Sequence, residues 1–221
     1  MGNSSSSVQR EELLQRGAEE IGLHLEQEQV EAFFLYAEEL SRWNRRMNLT
    51  RIREGIDLVA KHFLASLAFT VAFPRELRLK LADVGSGAGF PGIPIKIACP
   101  QLNLTLIEAS RKKASFLRHI ALLLNLQGIE SVQARAEELA SDRKHQDRFE
   151  VALARAVGPR ETLIGMVAPL LRPGGRLVLS AKEKEEGPLP EEKGLVFKES
   201  LRVRFSSVDL ERRLLVWEKG E

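Results

Sequence analysis

The stretch Leu79-Lys80-Leu81-Ala82-Asp83-Val84-Gly85-Ser86-Gly87-Ala88-Gly89-Phe90-Pro91-Gly92 limits what this chain can fold into more than any other. An alternating apolar run ends in an acid, glycines follow at every second position, and Ile93-Pro94-Ile95-Lys96-Ile97-Ala98 then reads as a helix. Strand, tight loop and helix in that order are the opening of a parallel α/β unit. Glycine permits positive φ and close approach of backbone to a ligand, and the loop delivers that ligand to a helix N-terminus. A nucleotide-like cofactor is the first expectation, with Asp83, Ser86, Gly87 and Gly89 as candidate residues around it.

The loop alone is ambiguous. Gly87 to Gly92 matches the dinucleotide pattern G-x-G-x-x-G. Pro91 and Pro94, however, stand where a pyrophosphate would look for free N–H groups, and proline has none. A cofactor without phosphates, such as S-adenosylmethionine, needs fewer such donors. Residues 102–107 read as a second strand ending at Glu108, whose carboxylate can accept hydrogen bonds from both ribose hydroxyls. Nicotinamide and S-adenosylmethionine enzymes both use that device, so Glu108 does not choose between them. The plainest alternative is a glycine-rich turn that only joins strand to helix.

A chain of 221 residues accommodates one domain with an extension and a sizeable core. The net charge of +2 sets up no strong overall field. The charges are uneven, however. Arg42, Arg45, Arg46, Arg51 and Arg53 crowd one stretch, and Arg111, Lys112, Lys113, Arg118 and His119 another. Such clusters suit a phosphate backbone, although each also reads as a solvated helix face. The one cysteine, Cys99, excludes an internal disulfide framework and fits a reducing cytoplasm. His24, His62, His119 and His145 lack metal-ligand spacing, so no metal is expected. No apolar stretch reaches membrane-spanning length, so no membrane association is expected. The expected state is a cytoplasmic monomer.

Residues 1–9 read as a small polar, disordered tail. Residues 10–74 read as a helical extension, in which Val30, Phe33, Phe34, Ala37 and Leu40 form an apolar stripe and residues 60–72 a second amphipathic helix containing His62. Trp43, among the arginines, reads as packed more readily than as an RNA-stacking ring. Pro74 marks the junction with a sheet domain over residues 75–221. There a helix over 112–125 stopped by Gly128, a strand at 129–133, an apolar strand at 149–154 and a helix over 159–171 follow in turn. Arg172-Pro173-Gly174-Gly175 reads as a turn before a fifth strand at 176–180, and residues 182–193 as a charged, mobile loop. Residues 201–205 and 214–217 close the chain as a strand pair, placing an antiparallel strand at one sheet edge. The expectation is an α/β, doubly wound, mostly parallel sheet with an N-terminal helical extension.

Several stretches together resemble one family, the bacterial small-subunit rRNA guanine-N7 methyltransferases, also called glucose-inhibited division protein B. They are Trp43-Asn44 with Met47-Asn48-Leu49-Thr50, His62-Phe63-Leu64 with Ser66-Leu67, and Asp83 through Pro94. Glu108 with Lys112-Lys113 and Phe116-Leu117, Arg135-Ala136-Glu137, Ala154-Arg155-Ala156 and Pro173-Gly174-Gly175 complete the set. The likeness fades after Ala181, where Lys182-Glu183 stands in place of the family's Lys-Gly. The resemblance implies a class I, Rossmann-like methyltransferase domain with S-adenosylmethionine as cofactor. It implies that Gly85 and Phe90 touch the cofactor, that Ala136 and Glu137 flank its adenine, and that Arg155 lies beside cofactor or target. The implied reaction is methyl transfer to N7 of one guanine in the 16S rRNA of the small ribosomal subunit.

Guanine N7 has an exposed lone pair and no proton, so no catalytic base is assigned. The expected RNA surface combines Arg42, Arg45, Arg46 and Arg51 with Lys112 and Lys113, and shape and phosphate contacts should dominate it. Two other classes compete. An NAD-dependent oxidoreductase accounts for the glycine pattern and Glu108 but not for the basic stretches. An RNA-binding module with a vestigial cofactor site gives no reason to keep Asp83, Glu108 and the glycines together.

Overall fold

A computed structural model describes residues 2–49, 55–155, 159–181 and 193–221. Two helices open the chain, α1 (Gly2–Glu19) and α2 (Gln27–Met47). Most of the stretch expected to be a disordered tail therefore lies in α1. Leu14 and Ala18 are fully buried and anchor the second half of that helix. Extending an anchored helix costs far less than nucleating one, so the polar turns before them can follow. Near its end α1 packs closely, for a Cβ on Gly17 would lie 2.5 Å from Leu64. The buried side of α2 is Val30, Phe33, Tyr36, Glu39 and Leu40, and Asn48 ends the helix in the left-handed region at φ 48°. Phe34 and Ala37, expected in the core, are only partly buried.

The next helical segment starts earlier than expected. It runs from α3 (Ile56–Leu58) through a π-helical stretch, Val59–Leu64, into α4 (Ala65–Leu67) and a 3-10 turn over Ala68–Ala72. The Ala65 N–H reaches back to the carbonyl of Ala60. Such a widened turn is often found at functional sites.

The sheet has seven strands in the order β3-β2-β1-β4-β5-β7-β6. They are β1 (Lys80–Val84), β2 (Asn103–Ile107), β3 (Ile129–Val132), β4 (Phe149–Ala154), β5 (Leu171–Ser180), β6 (Leu195–Phe205) and β7 (Leu210–Lys219). The first five pair in parallel, and β7 is antiparallel to both of its neighbours. The antiparallel strand is thus not at the edge, as expected, but one place inside it. Burial explains the order. Leu214, Leu215, Val216 and Trp217 are all 1% exposed or less, as a strand covered on both faces demands, whereas Val196 on β6 is exposed.

Crossover helices α5 (Gly92–Ala98) and α6 (Arg111–Leu123) cover one face of the sheet together with α1, α2 and the π-helical segment. Helices α7 (Ala136–Ser141) and α8 (Arg160–Val167) cover the other. Two turns differ from expectation. Helix α6 is ended by Asn125 at φ 48°, with the Leu126 N–H reaching the Ala121 carbonyl, so Gly128 instead turns the chain into β3. Pro173-Gly174-Gly175 lies inside β5 as an irregularity in its pairing with β4, not before it. A Cβ on Gly175 would meet the Arg172 and Phe149 carbonyls at 2.8 and 3.0 Å. Cys99 is buried at the end of α5, where burial pushes its thiol up to about 11. Among the described residues, no helix is long and apolar enough to cross a membrane.

Candidate functional site at the carboxyl ends of the strands

Parallel strands β3, β2, β1 and β4 lie side by side, so the loops that follow them meet at one edge of the sheet. Chain order reverses between β1 and β4, and open α/β sheets bind ligands in the crevice at such a point. Every residue expected to hold a cofactor lies on these loops or at their strand ends.

The loop after β1 is held by bonds to its own neighbours. Asp83, fully buried, accepts a hydrogen bond from the Gly92 N–H on Oδ2 at 3.0 Å, which ties the end of β1 to the start of α5. Its Oδ1 is buried without a partner among the described residues. Burial pushes the Asp83 carboxyl up to about 7, against the opposing pull of its hydrogen bonds. Ser86 turns inward, its hydroxyl donating to the Asp83 carbonyl at 2.8 Å. Gly85, at φ 69°, donates its N–H to the Ile107 carbonyl at 2.9 Å. Asp83 and Ser86 thus support the loop from behind.

Gly87 and Gly89 are required for different reasons. Gly87 has φ 60°, and the nearest atom to a Cβ built on it is the Gly85 carbonyl at 3.8 Å, so its open side faces space rather than protein. Gly89 has φ 99°, and a Cβ there would lie 2.9 Å from the Tyr36 hydroxyl and 2.6 Å from Ile93. That hydroxyl donates to the Ala88 carbonyl at 2.5 Å. The Tyr36 ring also packs against Phe90, 5.4 Å between centroids. Tyr36 is a buried brace for the loop that the sequence reading did not find. The spacing of Val30, Phe33 and Leu40 leaves room for it on the same helix face, which was the available signal.

Glu108, 7% exposed, follows β2 and closes the same loop. Its Oε2 accepts from the Gly87 N–H and its Oε1 from the Ser110 N–H, each at 2.8 Å. A strand-end acid facing solvent is excluded by this geometry. Both oxygens retain lone pairs for further donors. Ala136, buried, begins α7 just past β3, and Glu137 beside it is exposed on the first turn. Cap bonding there comes from Glu138, which accepts the Arg135 N–H at 3.1 Å.

Arg155 stands at the end of β4. Its Nη2 donates to the Lys61 carbonyl at 2.8 Å and lies 3.4 Å from His62 Nδ1. Nη1 is buried without a partner among the described residues. Burial, with Arg212's charge acting in the same direction, draws the guanidinium down to about 10. The His62 ring in turn packs on Phe90, 5.1 Å between centroids. The π-helical segment thereby forms a wall over the β1 and β4 ends. Only the motif His62-Phe63-Leu64 signalled it in sequence, without a role.

The two basic stretches come together through α2 and α6. Glu39 meets His119 at 2.8 Å and Trp43 packs on Phe116 at 5.4 Å, so the helices run antiparallel. With the helices antiparallel, Arg46 near the end of α2 and Lys112 and Lys113 near the start of α6 lie at the same end of the helix pair. Arg42, Arg45, Arg46 and Lys112 are exposed and Lys113 half-buried. Arg42 pairs with Glu39 at 2.7 Å, and Trp43 is packed between Phe116 and His119, as expected of it. Arg51, Arg53, Ala156 and Lys182 lie outside the described residues, as does residue 182–192 of the charged loop.

The fold is that of class I S-adenosylmethionine-dependent methyltransferases. A solved methyltransferase of that dependence from Aquifex aeolicus superposes with a TM-score of 0.53 at 12% identity, covering 70% of this chain and 89% of that one. The particular family comes from sequence. Residues 29–216 match the family model described as rRNA small subunit methyltransferase G, and the chain belongs to that family. A protein of that name from Caldanaerobacter subterraneus subsp. tengcongensis is 42% identical over 176 residues, 79% of this chain and 74% of that one. Its counterpart from Roseiflexus castenholzii is 45% identical over 157 residues, 71% and 67% of the two chains. This membership does not favour the oxidoreductase alternative.

Proposed function

We propose that this protein transfers a methyl group from S-adenosylmethionine to N7 of a specific guanine in the 16S rRNA of the small ribosomal subunit, acting in the cytoplasm as a monomer. The carrying observation is a carboxylate, Glu108, bonded to the Gly87 N–H beside the open side of that glycine, at the ends of neighbouring parallel strands, in a chain of this family. The residues present fit the cofactor. Glu108 can take the ribose hydroxyls, Ala136 and Glu137 the adenine, and Gly85, Gly87, Gly89 and Phe90 the amino-acid portion. Asp83 and Ser86 hold that loop in shape. The unpartnered Nη1 of Arg155 and Oδ1 of Asp83 mark the remaining polar demand nearby.

When bound, S-adenosylmethionine supplies a methyl activated by a sulfonium sulfur, which keeps the electrons of the bond that breaks. The N7 lone pair makes the new bond, and positive charge passes to the purine. This chain must therefore orient the base and tolerate the cation it becomes, and it needs no proton acceptor. Arg45, Arg46, Lys112 and Lys113 supply the phosphate-facing charge, with Arg42 on the same helix; Arg51, outside the described residues, adds to the proposed surface. Arg111, Lys112 and Lys113 occupy the first turn of α6, where the helix dipole disfavours cations, and no acid accompanies them. Charge kept at a cost to the helix supports a binding role.

Titration calorimetry with S-adenosylmethionine and NADH tests the cofactor, and tritiated methyl transfer to small subunits with mapping of the modified base tests the reaction. Preferential NADH binding, or absence of transfer, would overturn this reading.

A further inference from the structure

We propose that His62 reads the target base, its Nε2–H donating a hydrogen bond to guanine O6 beside the reacting N7; this rests on the methyl-transfer reading above.

The position follows from the strand order. With the ribose at Glu108 after β2 and the adenine by Ala136 after β3, the rest of the cofactor extends toward β1 and β4. The acceptor base must then approach where β1 and β4 end. The π-helical segment forms the wall there, and His62 is its half-buried side chain between Phe90 of the glycine loop and Arg155 of β4.

The tautomer follows from the neighbour. A guanidinium only donates, so Nδ1 of His62 must accept from Arg155 Nη2, and the ring proton sits on Nε2. The same Nη2 is fixed by the Lys61 carbonyl at 2.8 Å, so the donor that sets the tautomer is itself held in place. Nε2 has no partner among the described residues and is not sealed off. Burial, with the charges of Arg155, Arg212 and Lys61 outweighing Asp57, brings the imidazolium down to about 4. A neutral ring is what the chemistry wants, because a cation facing a purine that gains positive charge would oppose the reaction. The edge of guanine that carries N7 presents O6 as an acceptor, whereas adenine presents an amino donor in the same place. A fixed Nε2–H therefore accepts guanine and repels adenine.

Three versions of the full-length protein test this: wild type, His62→Phe, which keeps a ring without the donor, and His62→Gln, which returns an N–H near Nε2. Histidine 15N spectra of the wild type should show His62 protonated on Nε2, and a ring protonated on Nδ1 would overturn the proposal. Methyl transfer is then measured on small subunits with guanine or adenine at the target. His62→Phe should lower kcat/KM on guanine by about 10- to 100-fold and narrow the guanine-to-adenine preference. His62→Gln should recover much of both, and all three should bind S-adenosylmethionine within about twofold of one another by calorimetry, as residues outside a cofactor contact do. Wild-type N7 methylation that His62→Phe leaves unchanged overturns this proposal alone. Wild-type methylation at another atom overturns the methyl-transfer reading, and this proposal with it. Loss of cofactor affinity in His62→Phe places the ring at the cofactor and also overturns it.

Discussion

The cofactor loop and the wall that faces it are built in opposite ways. Between Asp83 and Ser110 the bonds that shape the loop are short in the chain: Asp83 to Gly92 and Ser86 to the Asp83 carbonyl lie within the loop after β1, and Glu108 to Gly87 joins it to the end of the neighbouring strand. The wall joins residues far apart in the chain, with Arg155 reaching back to Lys61 and His62, and Tyr36 to Ala88. The loop is specified by local backbone geometry and is fragile to single glycine or acid changes. The wall is specified by packing of the N-terminal helices, and it touches the loop at two places, where Tyr36 meets Ala88 and His62 meets Phe90.

Gly87→Val should break the loop most severely. A β-branched residue cannot readily adopt φ 60°, and its side chain would fill the open side of the loop. Cofactor binding should be lost by calorimetry while circular dichroism stays native; retained affinity would mean that the open side is not a ligand cradle. Asp83→Asn comes next and reads stability instead. The folded protein holds the Asp83 proton up to about 7, against 3.8 ordinarily. That contribution is present below the ordinary value and lost as pH rises through the folded one. Unfolding free energy of wild type relative to Asp83→Asn should therefore fall with pH across this window, by at most about 1.4 kcal/mol per unit. His62, with the opposite sign, is common to both proteins and cancels. Equal pH slopes in denaturant melts would show that Asp83 is ionised in the fold.

Glu108→Ala should weaken S-adenosylmethionine binding by about 1–3 kcal/mol, since it removes a paired acceptor and frees the Gly87 and Ser110 N–H groups. An unchanged Kd would place the ribose elsewhere. The smallest effect on the cofactor belongs to the other region. Arg42, Arg45 and Arg46 replaced together by Ala should leave cofactor affinity alone but reduce the salt slope of rRNA binding by about 2, at roughly 0.7 per phosphate on single strands. Arg42, tied to Glu39, should contribute least of the three. Filter binding with equal slopes for wild type and variant would move the RNA surface away from α2.

The same contrast explains what could be read from sequence. Asp83, the alternating glycines and Glu108 are legible because their roles depend on residue type and strand-end position, both of which a linear pattern carries. The five parallel strands follow from the same periodicity. The roles of Tyr36 and His62 are not legible, since a buried stripe does not say that Tyr36 will reach the Ala88 carbonyl, nor an amphipathic helix that His62 will stand between Phe90 and Arg155. Gly128 was the obvious helix stop, yet Asn125, which tolerates the left-handed region less readily than glycine, takes that place because α6 reaches its last buried residue at Ile120. The Ser-rich start carries no apolar period and is helical only because Leu14 and Ala18 are anchored downstream.

The position of β7 between β5 and β6 has a consequence for how the molecule comes into being. As the chain emerges during synthesis, β6 is made first but has no neighbour to join, because its only partner among the described residues is the strand that follows it. Until β7 inserts, β5 presents a bare row of amide and carbonyl groups along the residues from Arg176 to Ser180. An open edge of that kind invites pairing with other chains. The late hairpin thus acts as the closing stitch of the nascent protein, and whatever delays it leaves the most adhesive strand exposed.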